Sequence, residues 1–261
     1  MKYNLHTHTV RCNHAEDTER EYIENAIANG IRVLGFSDHS PYFFDGDYYS
    51  GYRMRREQTA EYFDTLLKLK EEYKGRIDLH IGFEAEYYPK HFSSFMDFLR
   101  DYPVEYLILG QHFLKNEQDC PIPCTRPTQD EERLNEYVSQ VCEAMRTGAF
   151  TCVAHPDVIN YTREDAASEK AFRTICECAK ETGTLLEINL LGIRTQRKYP
   201  RNDFWRIAGE VGSKVILGSD AHTAKDVGDC ASYETAMNMV SKFALQYVEM
   251  PELIHPFGGK I

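Results

Sequence analysis

The stretch Gly30-Ile31-Arg32-Val33-Leu34-Gly35-Phe36-Ser37-Asp38-His39 carries the plan of the whole chain. A glycine is followed by a short apolar run rich in β-formers, and the run ends in a polar cluster. Glycine fits just past a helix end, because it takes the left-handed backbone conformation without a side-chain penalty. A short apolar run after it reads as a buried parallel strand. The pattern returns along the chain. Gly75 precedes residues 76–83 and Glu84; Gly148 precedes residues 149–154 and His155. Gly183 precedes residues 184–188 and Asn189; Gly212 precedes residues 214–217 and Gly218-Ser219-Asp220. Adding residues 3–5 and 106–109 gives about seven strands alternating with helices. Thr18-x-x-Glu21 supplies a capping-box spacing at one helix start.

Alternating strands and helices predict a parallel sheet covered by helices, either closed or open. Polar clusters end nearly every strand, from first to last. An open sheet gathers its site at one switch point, whereas a barrel brings all strand ends around one mouth. The expected class is therefore α/β, a barrel. No repeat, linker or low-complexity segment divides it, so residues 1–261 are read as a single domain.

Three histidines follow the first strand: His6, His8 and His14. Positions two apart on extended backbone face the same way, so His6 and His8 aim at one point. One such pair is weak evidence. His39, Glu84, His112, His155, Asp220 and His222 all follow strands at the same end, however. Seven of the ten histidines thus gather where chance would scatter them. In the third strand Ile77, Leu79, Ile81 and Phe83 share one face, and Asp78, His80, Gly82 and Glu84 the other. Glu84 then points inward, where a lone carboxylate is costly unless paired or metal-bound. His80 reads as a hydrogen-bonded core histidine, and His91 and His255 as exposed. Imidazole and carboxylate ligands suit zinc, manganese or iron. Nine such residues exceed the needs of one ion, and two or three ions bridged by a carboxylate suit phosphoryl chemistry.

Other chemistries find no footing. The chain lacks the phosphate-binding G-x-x-x-x-G-K-[ST] loop, the G-x-G-x-x-G fingerprint and the G-x-S-x-G nucleophile elbow. Its net charge of -11 argues against nucleic acid or an anionic membrane as partner. No apolar run approaches membrane-spanning length, and a cytoplasmic location is expected. The eight cysteines are scattered, as expected of reduced thiols, and Cys12 reads as a bystander between His8 and His14.

At these residues the sequence resembles the polymerase-and-histidinol-phosphatase (PHP) family, closely its monofunctional histidinol-phosphate phosphatases. The matching segments are His6-Thr7-His8-Thr9 with His14, Gly35-Phe36-Ser37-Asp38-His39, Gly82-Phe83-Glu84, Gly110-Gln111-His112-Phe113, Ala154-His155-Pro156-Asp157 and Gly218-Ser219-Asp220-Ala221-His222. The resemblance implies a distorted (β/α)7 barrel with three metals, within the two to three divalent ions that the ligand count suggests. One ion would take His6, His8, Glu84 and Asp220; a second His14, His39 and His222. A third would take Glu84, His112 and His155, with Glu84 bridging. The segment Asn189-Leu190-Leu191-Gly192-Ile193-Arg194 resembles one that brings an arginine to a substrate phosphate, although the family usually has a small polar residue at Leu190 or Leu191. Arg194 is thus the expected substrate contact, with Arg163 and Arg197 as further candidates.

The implied activity is metal-dependent hydrolysis of a small-molecule phosphate ester, L-histidinol phosphate, with Asp220, Glu84 and His222 as catalytic groups. Asp220 or a nearby histidine would protonate the leaving group, and Asp38 would orient His39 or a neighbouring ligand. Residues 41–52 and 114–129 read as loops at the mouth, where specificity should reside. Rival readings are a phosphoesterase of the same family acting on nucleotides or nucleic-acid ends, an amidohydrolase-type barrel, and a metal-stabilised binding module. The amidohydrolase scheme has no use for His14, His39 and His222, and a binding module would have tolerated loss of a ligand.

Overall fold

The computed structural model describes residues 1–260. Eight parallel strands lie side by side in chain order. They are β1 (Tyr3–Asn4), β2 (Val33–His39), β3 (Asp78–Ala85), β4 (Tyr106–Leu109), β5 (Cys152–Val153), β6 (Leu185–Asn189), β7 (Lys214–Gly218) and β8 (Gln246–Tyr247). The helices are α1 (Glu19–Ala28), α2 (Thr59–Glu72), α3 (Phe92–Leu99), α4 (Glu131–Arg146), α5 (Ala166–Thr182), α6 (Leu190–Arg194), α7 (Asn202–Val211) and α8 (Cys230–Lys242). Each strand pairs with its chain neighbour, so the order never reverses as it would in a doubly wound sheet. The fold is the barrel that the strand ends imply, in the distorted form that the family resemblance implies.

Its seam is built in two parts. At the mouth, Thr7 bridges Ala221 in parallel, and the His8 N–H donates to the Ala221 carbonyl at 3.0 Å. At the opposite end β8 lies against β7, with Gln246 opposite Lys214, and Lys2 Nζ stands 3.2 Å from Glu249. The short β8 is an addition to the seven strands expected. Two residues with no apolar run give no sequence signal, and pairing alone makes them a strand. Strand limits differ too. β2 runs on through His39 and β3 through Ala85, placing His39 opposite Glu84, whereas β5 shrinks to Cys152–Val153.

Local signals account for the helix ends. Thr18 and Glu21 form the capping box, with the Thr18 N–H donating to Glu21 Oε2 at 2.7 Å. Gly183 and Gly212 end α5 and α7 with φ of 75° and 77°. Inward-facing Tyr3, Leu5, Val33, Tyr106, Ile108, Cys152, Ala154, Leu185 and Ile216 fill the barrel below the mouth, and Leu253 joins them. The Tyr106 phenol donates to the Leu5 carbonyl at 2.8 Å, so its polar end is satisfied inside the core. A larger apolar layer joins the outward faces of the strands to the helices. All eight cysteines are free. No helix among the described residues is long and apolar enough to cross a membrane.

Candidate metal centre

The nine candidate ligands come from separate elements yet meet at one mouth. Extended backbone after β1 turns His6 and His8 inward, and both are fully buried. β2 supplies His39 and β3 supplies Glu84. His112, His155, Asp220 and His222 follow β4, β5 and β7. His155 and Asp220 have φ of 32° and 45°, a left-handed turn that non-glycine residues seldom take. Five overlapping groups of mutually close ligand atoms result, and three of them together take in all nine candidates: His6, His8 and Asp220; His14, His39 and His222; Glu84, His112 and His155.

Glu84 sits between the groups. Its Oε2 lies 3.5 Å from His6 Nε2, 3.5 Å from His8 Nε2 and 3.0 Å from His39 Nδ1. Its Oε1 lies 3.4 Å from His112 Nε2 and 3.0 Å from His155 Nε2. Asp220 Oδ1 stands 3.2 Å from His8 Nε2 and 3.6 Å from His6 Nε2. Burial opposes the charge on Glu84, but His112, His39 and His6 outweigh it and hold the carboxyl well below its ordinary range. Burial pushes His39 down to about 4; burial and the neighbouring His8 push His222 down to about 2. Both rings are therefore neutral and offer lone pairs. For His8 burial would lower the pKa, but contacts with Asp220, Asp38 and Glu84 raise it to about 9.

Divalent cations fit this donor set. His6 Nε2, His8 Nε2 and His39 Nδ1 are buried without hydrogen-bond partners and face the Glu84 and Asp220 carboxylates. Orphaned buried polar atoms are costly, and three of them beside two carboxylates suit a cation. The other ring nitrogens are held from behind. His6 Nδ1 meets Glu187 at 2.9 Å, His112 Nδ1 meets Glu86 at 2.9 Å, and His14 Nδ1 donates to the Cys12 carbonyl at 2.8 Å. Each such bond fixes the tautomer that leaves Nε2 open toward the cluster.

Neither Glu187 nor Glu86 was singled out from sequence. Strand parity could have found Glu187, since Leu185, Glu187 and Asn189 share the inward face of β6. Asp38 meets the expectation at His8 rather than His39: its Oδ1 is 3.5 Å from His8 Nδ1, and it accepts bonds from Thr9 Oγ1 and the His39 N–H. The Cys12 thiol is buried within reach of His8 and His222 ligand atoms. His80 pairs with Glu105 at 2.7 Å and belongs to none of the groups. His91, expected to be exposed, is buried under Tyr42 and Phe44.

The cluster floors a cavity of about 510 Å³, walled by Tyr52, Phe113, Pro123, Val158, Leu191 and Tyr199, with Arg197 at its edge. Arg194 requires a correction. Asn189 caps the short α6, whose course turns Arg194 away from the cavity. Its guanidinium donates to the carbonyls of Ser219 and Asp220 at 2.7 and 2.6 Å, with Asp226 3.5 Å away. Arg194 therefore braces the turn that carries Asp220. Arg197, three residues later, takes the place at the cavity, its Nη1 donating to the Tyr199 phenol at 2.7 Å. Arg163 pairs with Asp165 at 2.8 Å outside the lining. Residues Tyr42, Phe43 and Phe44 pack onto Phe95, Phe98 and His91, so the aromatic loop is anchored to α3, and Gly51 and Tyr52 reach the cavity.

The family model for the PHP domain matches residues 4–190. A probable histidinol-phosphatase of Deinococcus radiodurans is 31% identical over 230 residues, covering 85% of this chain and 87% of that protein. The histidinol-phosphatase of Bacillus subtilis is 25% identical, covering 87% and 96%. Histidinol phosphate phosphatase from Lactococcus lactis, solved with zinc, L-histidinol and phosphate, superposes with a TM-score of 0.76 at 21% identity, covering 98% of each chain. The family model covers most of the chain and the fold agrees with that of the Lactococcus protein, and the chain belongs to the PHP domain family.

Proposed function

We propose that this chain is a metal-dependent phosphomonoesterase that hydrolyses L-histidinol phosphate to L-histidinol and phosphate. The observation that carries the reading is Glu84, whose two oxygens face five imidazoles at the floor of a single cavity. A shared carboxylate with ligands on both sides suits a multinuclear site. The relatives from Deinococcus radiodurans and Bacillus subtilis supply the substrate class. The cavity walls leave room for a small ester.

His6, His8, Glu84 and Asp220 would hold one ion; His14, His39 and His222 a second; Glu84, His112 and His155 a third. Zinc, manganese and iron all suit the donors. When bound, such ions supply Lewis acidity toward phosphoryl oxygens and lower the pKa of water. The chain's own residues do the rest. Arg197 neutralises a phosphoryl oxygen, and Tyr199 holds its guanidinium in place. Phe113, Pro123, Val158 and Leu191 keep bulk water from the floor. Asp220 Oδ1, with His222 Nδ1 3.3 Å beside it, would take the proton released by the attacking water and pass it to the departing alkoxide.

Initial rates should be compared for L-histidinol phosphate, nucleoside monophosphates, sugar phosphates and phosphorylated oligonucleotide ends. Faster turnover of a nucleotide or oligonucleotide than of histidinol phosphate would overturn the substrate assignment. Elemental analysis after incubation with zinc, manganese or iron should find two to three ions per chain. At most one ion with activity intact would remove the multinuclear reading.

Arg197→Ala should lower kcat/KM by roughly tenfold and weaken inhibition by inorganic phosphate in parallel. A charge-assisted contact is worth about 1.5–3 kcal/mol, and the exposed setting of Arg197 places it at the lower end. Metal content should not change, because arginine has no lone pair for a cation. Unchanged phosphate inhibition would take Arg197 out of the site.

A further inference from the structure

Behind His112 lies a buried ionic lattice that ligand chemistry alone does not require. Arg53 is 1% exposed, and Glu86 and Glu117 are each 1% exposed. Arg53 Nη1 and Nη2 each donate to Glu86 at 3.0 Å, while Nε and Nη2 donate to Glu117 at 3.1 Å. Its Nη1 also reaches the Ser40 carbonyl at 3.0 Å. Glu86 Oε1 has two further donors, His112 Nδ1 at 2.9 Å and the Tyr52 phenol at 3.0 Å. One carboxylate oxygen thus joins the guanidinium, a candidate metal ligand and a cavity wall. The Tyr52 ring meets Phe113 at 5.9 Å and stands edge-on to His39 at 5.3 Å.

An ion lattice of this kind is weak evidence for stability, since replacing a buried pair by apolar residues often costs nothing. What it supplies is fixed geometry. Imidazole can ligate through Nε2 only when the proton sits on Nδ1, and an acceptor behind the ring decides which nitrogen carries it. Glu86 is that acceptor for His112. Glu117 shares Arg53 equally but has no hydrogen bond to any histidine.

We propose that Glu86 is a positioning residue of this site: it sets the His112 tautomer that opens Nε2 toward Glu84, and the same oxygen fixes Tyr52 as a wall of the cavity. Arg53 and Glu117 hold Glu86 still. The inference rests on the metal-dependent reading above, but its test does not depend on the substrate.

Glu86→Met keeps the length of the side chain and removes both acceptor oxygens. A glutamine would not serve, because an amide oxygen at the Oε1 position still accepts from His112, Tyr52 and Arg53 together. With no acceptor behind Nδ1, the His112 proton is no longer held there and Nε2 is no longer reserved for the cluster. Glu117→Met disturbs Arg53 to a similar extent without touching His112. Zinc should be titrated into metal-free wild-type, Glu86→Met and Glu117→Met chains in competition with a chelator. The expected result is roughly 10- to 100-fold weaker binding of one ion in Glu86→Met, and a change of less than about threefold in Glu117→Met. Equal losses in the two variants would reduce the lattice to a structural role, and wild-type zinc affinity in Glu86→Met would overturn the proposal outright.

A second measurement needs no variant at Glu86 to fold. Nitrogen-15 spectra of the zinc-loaded wild-type chain with labelled histidine, His112 being assigned by its loss in His112→Gln, should show Nδ1 protonated and Nε2 shifted by metal. A His112 carrying its proton on Nε2 would sink the idea. A chain that shows these zinc results yet leaves histidinol phosphate intact would refute the substrate reading alone.

Discussion

Replacing Glu84 with alanine should lower turnover of L-histidinol phosphate by at least about a thousandfold, equivalent to about 4 kcal/mol of transition-state stabilisation. The size follows from what the side chain touches. Oε2 faces His6, His8 and His39, and Oε1 faces His112 and His155, so truncation removes a donor from both sides of the cluster at once. The change also deletes the negative charge at the centre of the imidazoles, leaving any retained cations to repel one another across a gap. Losing one ion removes both Lewis acidity and activation of water. Steady-state kinetics and elemental analysis on one preparation provide the check. Near-normal turnover with a full complement of metal would make Glu84 a structural residue.

The second large effect comes from a residue with no side chain. A Cβ built on Gly110 would lie 1.9 Å from Glu84 Oε1 and 2.5 Å from its Cδ. Gly110→Ala must therefore push the Glu84 carboxylate off its position, and the buried histidines around it leave little room to yield. Displacements near 1 Å at a reacting centre can cost roughly a hundredfold in rate, and that is the loss expected here. The backbone at Gly110 is not in the left-handed region, so alanine itself is tolerated and the fold should persist. The check is kcat together with far-ultraviolet circular dichroism and a melting curve. A variant as active as the wild type would show that Glu84 adapts freely. A variant that unfolds would show that the close approach stabilises the barrel rather than the site.

The parts legible in the sequence are those that depend on local period and chain order. His6 and His8 could be aimed together because strand side chains alternate. Glu84 could be turned inward because Ile77, Leu79, Ile81 and Phe83 claimed the opposite face. The barrel could be told from an open sheet because polar clusters closed nearly every strand. What escaped depends on directions that spacing does not encode. Arg194 and Arg197 are three residues apart, and only the exit angle of the short α6 decides which one reaches the cavity. Arg53, Glu86 and Glu117 carry no signal of their own in the sequence, since nothing local says that three charges so far apart in the chain will be buried against one another. The two-residue β8 carries no strand pattern and exists through its pairing with β7.

That pairing bears on how the chain is made. β8 and Leu253 come after all seven barrel strands in chain order, yet β8 covers the lower end of β7 and Leu253 belongs to the inner core. A nascent chain that has delivered β7 but not β8 presents an unpaired strand edge and an uncovered apolar interior. Both are the surfaces by which partly synthesised chains stick to one another. Chaperone demand should accordingly peak late in synthesis, in the interval between emergence of β7 and emergence of Leu253, rather than while the first strands appear.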